Sequence, residues 1–183
     1  RAPTPEAVDF YLSSGQAESG ERVWEADEVS QASEPFRPVS IRIKERSGKV
    51  TDTVRSTEPV IIEFEYQLDA PVTGLRVGMY LNTMRGEYVF TAFDTDDAKQ
   101  FEQFGARAAG RYVSRCEIPA DLFNEGRYYL GVNASSFGVK RYFMDENAIS
   151  FNVDISGAPG TQWPELRQGP IRPRLNWKIE KID

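Results

Sequence analysis

The chain has 183 residues, of which 40% are hydrophobic and 12% aromatic, and its formal net charge is −6 at pH 7. This size and composition predict one folded domain with a substantial core, and the negative charge argues against nucleic acid or anionic lipid as a partner. The chain lacks histidine and contains a single cysteine, Cys116, which excludes Ser-His-Asp and Cys-His catalysis and an internal disulfide.

Residues 1–21 are predicted to be a linker. Pro3 and Pro5 precede a short helical pattern over Glu6–Leu12, and a polar stretch follows it. Because the chain opens with Arg1 rather than Met, we expect it to be a fragment of a longer protein.

Short runs of alternating apolar and polar residues follow at regular intervals and predict strands. Within Asp94–Gly110 the alternation stops, and Thr95 or Asp96 is predicted to cap a short helix that carries Phe101 and Phe104. Many short strands with turn signals and almost no helix predict an all-β, antiparallel β-sandwich, immunoglobulin-like or jelly-roll-like, over residues 22–156. Residues 157–183 are predicted to be a connector and a C-terminal strand. The predicted strands are Val39–Lys44, Val60–Leu68, Leu75–Asn82, Tyr88–Phe93, Arg111–Ile118, Arg127–Ser135, Val139–Phe143, Ala148–Ile155 and Ile171–Ile179.

Two of these strands, Leu75–Asn82 and Arg127–Ser135, carry an unusual outward face. Because side chains alternate between the two sides of a strand, each presents one apolar row and one row of tyrosine, amide, arginine and glycine. If the strands are neighbours, we expect the glycines to leave a shallow recess, with flat rings for the C–H faces of a sugar and polar groups for its hydroxyls. The predicted carbohydrate-binding residues are Arg76, Tyr80, Asn82, Tyr129, Asn133, Ser135 and Arg141.

Each of these residue types also has an ordinary structural role. Tyrosines and asparagines occur on solvated sheet faces, where aromatic residues pair across strands. Arg76, Arg127 and Arg141 can contact an acidic or phosphorylated sugar, since guanidinium pairs well with such groups. They can equally be surface ion-pair partners of the 28 acidic residues.

Other polar groups with possible chemistry are interpreted as structural. Asp94, Asp96 and Asp97 do not complete a calcium loop, and helix capping explains them. Glu63 and Glu65 share one face of a strand, as a glycosidase pair would, but nothing nearby predicts the raised pKa that acid catalysis needs. We therefore predict no catalytic residue and no metal.

The remaining signals limit the chemistry further. Cys116 lies on the apolar side of its strand and is predicted to be a buried, inert thiol. Trp24 and Trp177 are predicted to lie in the core or at a dimer interface, whereas Trp163 can pack over the sandwich edge or contact sugar. No GxxxxGKS/T or GxGxxG phosphate loop occurs, so we expect no cofactor and no ATP hydrolysis by this chain alone. No apolar run approaches the roughly 20 residues that span a bilayer.

Several segments, in their order and spacing, are similar to one bacterial family. These are EPVIIEFEYQLDAPVTGLRVGMYLNTMRGEYVFTAFDTD, GRYVSRCEIPADLFNEGRYYLGVNAS, AISFNVD and GPIRPRLNWKIE. The chain thereby resembles, over most of residues 5–180, the C-terminal domain of ATP-binding subunits from ABC transporters that export O-antigen polysaccharide (the Wzt type). PTPEAVDFYL resembles the segment that links the nucleotide-binding domain to this domain, and RVWEADEV resembles its first strand.

The resemblance implies an immunoglobulin-like sandwich that binds sugar on one sheet face without catalysis. Such domains bind the finished non-reducing end of a lipid-linked O-polysaccharide before export. The implied partners are that glycan, the nucleotide-binding domain of the same chain and the membrane subunit, and the implied location is the cytoplasm, against the inner membrane through the transporter. The family also forms homodimers by exchange of a C-terminal strand, for which Ile171–Ile179 follows a suitably long connector.

Two alternatives remain open from the sequence. One is a carbohydrate-binding accessory domain of a secreted glycosidase, which a signal peptide or an attached hydrolase would favour. The other is a purely structural dimerisation domain, which a flat, polar sheet face without a recess would favour. An upstream Walker A motif would favour the exporter.

Overall fold

The computed structural model describes residues 20–182, which are mainly strands. The helix α1 spans Ala98–Phe104, and single turns of 3₁₀ helix span Ala26–Glu28 and Gln31–Ser33. The predicted all-β fold is confirmed. The strands are β1 (Glu21–Val23), β2 (Phe36–Lys44), β3 (Thr53–Arg55), β4 (Val60–Leu68), β5 (Val72–Thr73), β6 (Leu75–Thr83), β7 (Tyr88–Phe93), β8 (Ala106–Arg107), β9 (Gly110–Ile118), β10 (Gly126–Ser136) and β11 (Lys140–Asp154).

The longer strands form two facing sheets with the core between them. Sheet I has the order β1-β2-β4-β9 and sheet II the order β3-β11-β10-β6-β7, while β5 and β8 form a separate two-stranded ribbon. Strand β4 shows why the layers stack, because its alternate residues Val60, Ile62, Phe64, Tyr66 and Leu68 are all buried. Burial of such apolar side chains is the main driving force for folding.

Aromatic side chains fill the centre of the core. The ring of Phe36 stacks on that of Tyr66 with centroids 5.0 Å apart. Trp24 meets Phe64 and Phe143 edge-on, at 5.7 Å and 5.5 Å between ring centroids. The core position predicted for Trp24 is therefore confirmed.

Strand β11 corrects the prediction of separate strands over Val139–Phe143 and Ala148–Ile155. It is continuous from Lys140 to Asp154. Its pairing with β10 is irregular between Leu130 and Val132, where a bulge takes up the polar residues of β11 that suggested a break.

Within residues 20–182, the C-terminal strand predicted over Ile171–Ile179 does not form. Ile171 makes an isolated bridge to Phe123, and the chain beyond it has no strand pairing. Trp177 is 86% exposed, so its predicted core position within one chain is wrong. Alternating apolar residues favour a strand, but a strand also needs a hydrogen-bonding neighbour.

The helix predicted within Asp94–Gly110 is confirmed, with a different cap. The Asp97 carboxylate accepts hydrogen bonds from the backbone amides of Lys99 and Gln100 and so caps α1, in place of Thr95 or Asp96. The helix predicted over residues 6–12 lies outside the described residues.

The sandwich is open on the side between the edge strands β7 and β9. A cavity of about 480 Å³ enters the core there, and α1 borders it. At its inner end Arg107, which is 4% exposed, donates from Nη2 to Asp94 Oδ2 at 2.9 Å and from Nη1 to the Tyr66 hydroxyl. Asp94 also accepts from Ser114 Oγ at 2.6 Å. This polar cluster links the two sheets across the open side, since its members lie on or beside four different strands.

The outer face of sheet I carries a ladder of ion pairs. Glu63 contacts Lys44 Nζ at 2.5 Å and Arg115 Nε at 2.7 Å, and Glu65 contacts Arg111 Nε at 2.6 Å. Burial alone would raise the pKa of Glu63, but the hydrogen bonds from Lys44 and Arg115 outweigh it and lower that pKa. The Arg111 hydrogen bond lowers the pKa of Glu65. Carboxyl groups held ionised in this way are unsuited to acid catalysis, which supports the structural interpretation.

We expect acid to destabilise the fold through these two carboxyl groups. The folded-state pKa values of Glu63 and Glu65 lie below the ordinary value of 4.5, so below that pH the unfolded chain takes up protons first. The free energy of unfolding then falls as the pH drops through the folded-state pKa values. Thermal unfolding at about pH 7 and about pH 3 should show a smaller acid-induced loss for Glu63→Gln than for the wild type. An equal acid-induced loss of stability in Glu63→Gln and the wild type would show that Glu63 does not contribute to the pH dependence of unfolding.

Candidate functional site

The two strands with the unusual outward rows are neighbours in sheet II. The register pairs Arg76 with Ser135, Gly78 with Asn133, and Asn82 with Tyr129. The apolar rows of both strands are buried in the core, as predicted. The polar and aromatic rows therefore share one surface, the outer face of sheet II.

The recess predicted over the glycines is wrong. A side chain at Gly78 would meet the Phe93 ring, whose nearest carbon lies 2.4 Å from the position of a Cβ atom. A side chain at Gly131 would meet the backbone oxygen of Glu146 at 2.6 Å, because the bulge of β11 crosses that point. Both glycines are needed for close packing and leave no open space.

An open cleft lies at one end of the outer face, beside the turn that joins β10 to β11. We call it the hairpin cleft, and its volume is about 380 Å³. Five of the seven predicted residues line it, while Asn82 and Tyr129 do not. The lining residues are Arg76, Tyr80, Asn133, Ser135 and Arg141, together with Phe93, Ser136, Phe137, Gly138, Val139 and Lys140.

Arg76 is held between two aromatic rings in the hairpin cleft. Its guanidinium carbon lies 4.5 Å from the Phe93 ring centroid and 5.1 Å from that of Phe137. Its Nε is buried and has no hydrogen-bond partner among residues 20–182. Cation–π contacts of this kind fix the plane of the guanidinium. The side chain is thus oriented by its neighbours while one donor remains unused.

Amide and hydroxyl groups form the floor of the cleft. Asn133 Nδ2 donates to the Tyr80 hydroxyl at 2.9 Å, and the Tyr80 ring meets that of Tyr88 edge-on at 6.0 Å. The Oδ1 atom of Asn133 is buried in the cleft and has no partner in the described part of the chain, and the same holds for Oδ1 of Asn82, which lies outside the cleft on the same face. Buried polar atoms are normally paired, so unpaired ones at one surface indicate a place for ligand hydroxyls.

Asn82 and Tyr129 lie on the same face beyond the cleft. Tyr129 is only 2% exposed, and the guanidinium carbon of Arg127 lies 5.6 Å from its ring centroid. Arg127 is fixed by a hydrogen bond of 2.9 Å from Nη2 to Ser150 Oγ. These residues support the face and do not line the hairpin cleft.

Sequence reasoning missed the aromatic and cationic rim of the cleft. Phe137 is 82% exposed and precedes Gly138, whose φ of 70° makes the tight turn. An aromatic residue beside a turn glycine was the signal that would have found Phe137. Lys140 begins β11 just after this turn and pairs with Ser136, so the same turn signal would have found it. Phe93 reaches the cleft only through the pairing of β7 with β6, so no local pattern indicates it.

The other groups with possible chemistry have structural partners. Asp94 is bound by Arg107 and Ser114, and Asp96 Oδ2 accepts the backbone amide of Phe93 at 2.8 Å. In the described part of the chain, no group of three or more His, Cys, Asp or Glu residues is placed to hold a metal. Burial raises the pKa of the half-buried Cys116 thiol, which disfavours the reactive thiolate. No helix among residues 20–182 is long and apolar enough to cross a bilayer.

The two sheets and the hairpin cleft define a β-sandwich domain with a polar and aromatic surface site. The chain belongs to the Wzt C-terminal domain family, whose sequence model matches residues 32–163. It is accordingly a non-catalytic domain associated with a polysaccharide ABC transporter. The predicted family resemblance is confirmed.

The fold has a counterpart among solved structures. The crystal structure of the C-terminal domain of wzt is similar at a TM-score of 0.62 and 11% sequence identity, over 90% of each chain. The solution structure of the CARDB domain of PF1109 from Pyrococcus furiosus has a TM-score of 0.39 and 14% identity, over 66% of this chain and 94% of that one. No curated protein matches the chain.

Proposed function

We propose that this domain binds the non-reducing terminus of an O-antigen polysaccharide and thereby selects finished chains for export. The observation that carries the proposal is the hairpin cleft, where aromatic rings surround an oriented guanidinium and unpaired polar atoms. Flat rings pack against the C–H faces of sugars, and the polar atoms match their hydroxyls.

The mechanism is selective binding without bond chemistry. The cleft presents a buried donor on Arg76 and a buried acceptor on Asn133, neither of which has a partner within residues 20–182. A terminal sugar that pairs with both gains their hydrogen bonds, whereas an analogue without the matching groups leaves them unpaired. The free-energy cost of these unpaired atoms makes the domain bind a wrong terminus more weakly than the finished one.

The remaining partners and the location are proposed by analogy with the family. We place the domain in the cytoplasm, joined to the nucleotide-binding domain of its own chain and, through the transporter's membrane subunit, held at the inner membrane. Binding of the polysaccharide terminus in the cleft would allow the nucleotide-binding domain and the membrane subunit to export the chain. Membership of the Wzt C-terminal domain family favours this reading over an accessory domain of a secreted glycosidase.

Titration calorimetry with the O-polysaccharide of the source strain tests the proposal. Intact chains are compared with chains from which the non-reducing end has been removed. We expect heat of binding only with intact ends. Equal binding of both would overturn terminal recognition, and no binding of either would favour the structural dimerisation alternative.

The C-terminal segment supports a homodimer built by strand exchange. Leu175, Trp177 and Ile179 are exposed and occupy alternate positions, so one side of the extended segment is apolar and uncovered. Within one chain the backbone amides of Arg172 and Arg174 donate to the backbone oxygens of Leu122 and Asp121, and a partner's sheet edge would provide hydrogen bonds for the residues that follow. Exchange would place two hairpin clefts on one particle, which raises avidity where both engage the same assembly.

We expect Trp177→Asp to convert a dimer into a monomer. A buried charge on the exchanged strand is costly, whereas the same change on a free segment costs little. Sedimentation equilibrium measures the mass, and Lys181→Asp near the chain end is the matched control. A dimer that persists in Trp177→Asp would show that the segment is not at the interface.

A further inference from the structure

A second pocket lies at the opposite end of the outer face of sheet II. It is formed between the turn joining β6 to β7, the start of β10, and the segment that follows β11, and its volume is about 490 Å³. We call it the connector pocket. Trp163 lies on its rim with 66% of its surface exposed.

The connector pocket is held by specific hydrogen bonds. Asn124 Nδ2 donates to the backbone oxygens of Arg167 and Gly169 at 2.7 Å and 2.9 Å. The Tyr128 hydroxyl donates to the backbone oxygen of Pro170 at 2.6 Å. These contacts fasten the segment that carries Trp163 to the end of the sandwich, so the pocket wall is fixed in position.

The pocket also contains an unused buried donor. Arg172 lines it, is 9% exposed, and donates from Nη2 to the backbone oxygen of Pro159 at 2.7 Å. Its Nε has no partner among residues 20–182. Glu87, Glu125 and Gln168 also line the pocket and supply acceptor oxygens. An exposed indole ring, an unused guanidinium donor and carboxylate and amide oxygens together suit a polyhydroxylated ligand.

The two pockets lie along the same pair of strands. Arg76 and Ser135 mark the hairpin-cleft end of the register, and Thr83 and Tyr128 mark the other end. Seven residues separate these ends, which is about 23 Å at the rise of a strand. Arg127 lies beside Tyr129 on the outer face and also lines the connector pocket, so this pocket borders the outer face at that end.

We propose that the connector pocket is a second glycan subsite, which binds internal repeat units of the same polysaccharide whose terminus occupies the hairpin cleft. This inference rests on the proposed function, since it takes the terminus to be in the cleft. The domain then binds an extended length of the polysaccharide as well as its terminus. A glycan too short to reach Trp163 would bind through the cleft alone.

The test measures how affinity depends on glycan length. Fragments of the source strain's O-polysaccharide that keep the native non-reducing end are separated by size and titrated into the full 183-residue chain. We expect long fragments to bind about five- to tenfold more tightly than short ones, the gain expected from one aromatic contact. Trp163→Ala should remove this gain and leave the affinity for short fragments unchanged.

Two control variants separate the subsite from general effects. Trp163→Tyr keeps a flat ring and should retain most of the gain. Phe101→Ala removes an exposed ring from α1, outside both pockets, and should retain all of it. Equal affinity for short and long fragments, or a length-dependent gain that survives Trp163→Ala, would overturn the second subsite while leaving terminal recognition intact. No binding of any fragment would overturn both.

Discussion

Arg107→Met is expected to destabilise the domain by about 3 kcal/mol, because it leaves the partners of a buried charge unpaired. Arg107 contacts Asp94 and Tyr66 and donates from Nε to the backbone oxygen of Phe104 at 2.8 Å, at the end of α1. For a chain of this size the loss corresponds to a fall in melting temperature of roughly 6–12 °C. Thermal unfolding followed by circular dichroism measures it.

A double-mutant cycle distinguishes loss of the pair from loss of packing. In the Asp94→Asn background, Arg107→Met should cost clearly less, since the carboxylate charge has already been removed. Arg37→Met is the matched control, because the two-point ion pair of Arg37 with Asp69 is largely exposed, so the melting temperature of this variant should fall much less than that of Arg107→Met. A wild-type melting temperature for Arg107→Met would show that the polar cluster does not stabilise the domain.

Arg76→Ala is expected to weaken binding of the intact polysaccharide terminus by about 10- to 100-fold, the range for a hydrogen bond to a charged group. The side chain reaches the cleft as a planar group between Phe93 and Phe137. Arg76→Lys keeps the charge but loses the plane and the unused Nε donor, so its affinity should fall between those of the wild type and Arg76→Ala. Titration calorimetry with the same glycan measures all three.

The control for Arg76 comes from the opposite sheet. Arg111→Ala removes an arginine whose side chain is 62% exposed on the outer face of sheet I, and it should leave the affinity unchanged. If Arg76→Ala binds the glycan as tightly as the wild type, the binding site lies outside the hairpin cleft. A fall in melting temperature in Arg76→Ala that accounts for the lost binding would point to a structural role instead.

The strands were predictable from sequence wherever alternation was strong. In β4 and β6 one side of each strand faces the core, and burial imposes the period of two that the sequence shows. The extent of β11 was not predictable, because its bulge places polar residues where a regular strand would have apolar ones. The C-terminal segment has a strand-like pattern, yet pairing depends on a neighbour that the sequence does not specify.

The candidate site was predictable in its residue types and less so in its shape. Alternation placed Arg76, Tyr80 and Asn133 together on the outer face of sheet II, as the structure has them. Alternation alone predicted open space above Gly78 and Gly131. In the structure, the Phe93 ring fills the space at Gly78 and the backbone of Glu146 fills it at Gly131. The cleft is therefore defined by contacts between residues distant in sequence, and these follow from strand order rather than from alternation.

The position of the hairpin cleft affects how recognition can diverge among related chains. Phe137 and Val139 are both 82% exposed and lie in a turn, outside the buried core. Exposed turns tolerate exchange of residues, insertions and deletions at little cost in stability. Under the function proposed for the hairpin cleft, replacement of this turn alone would therefore change the glycan specificity, while the two sheets and their core stay the same.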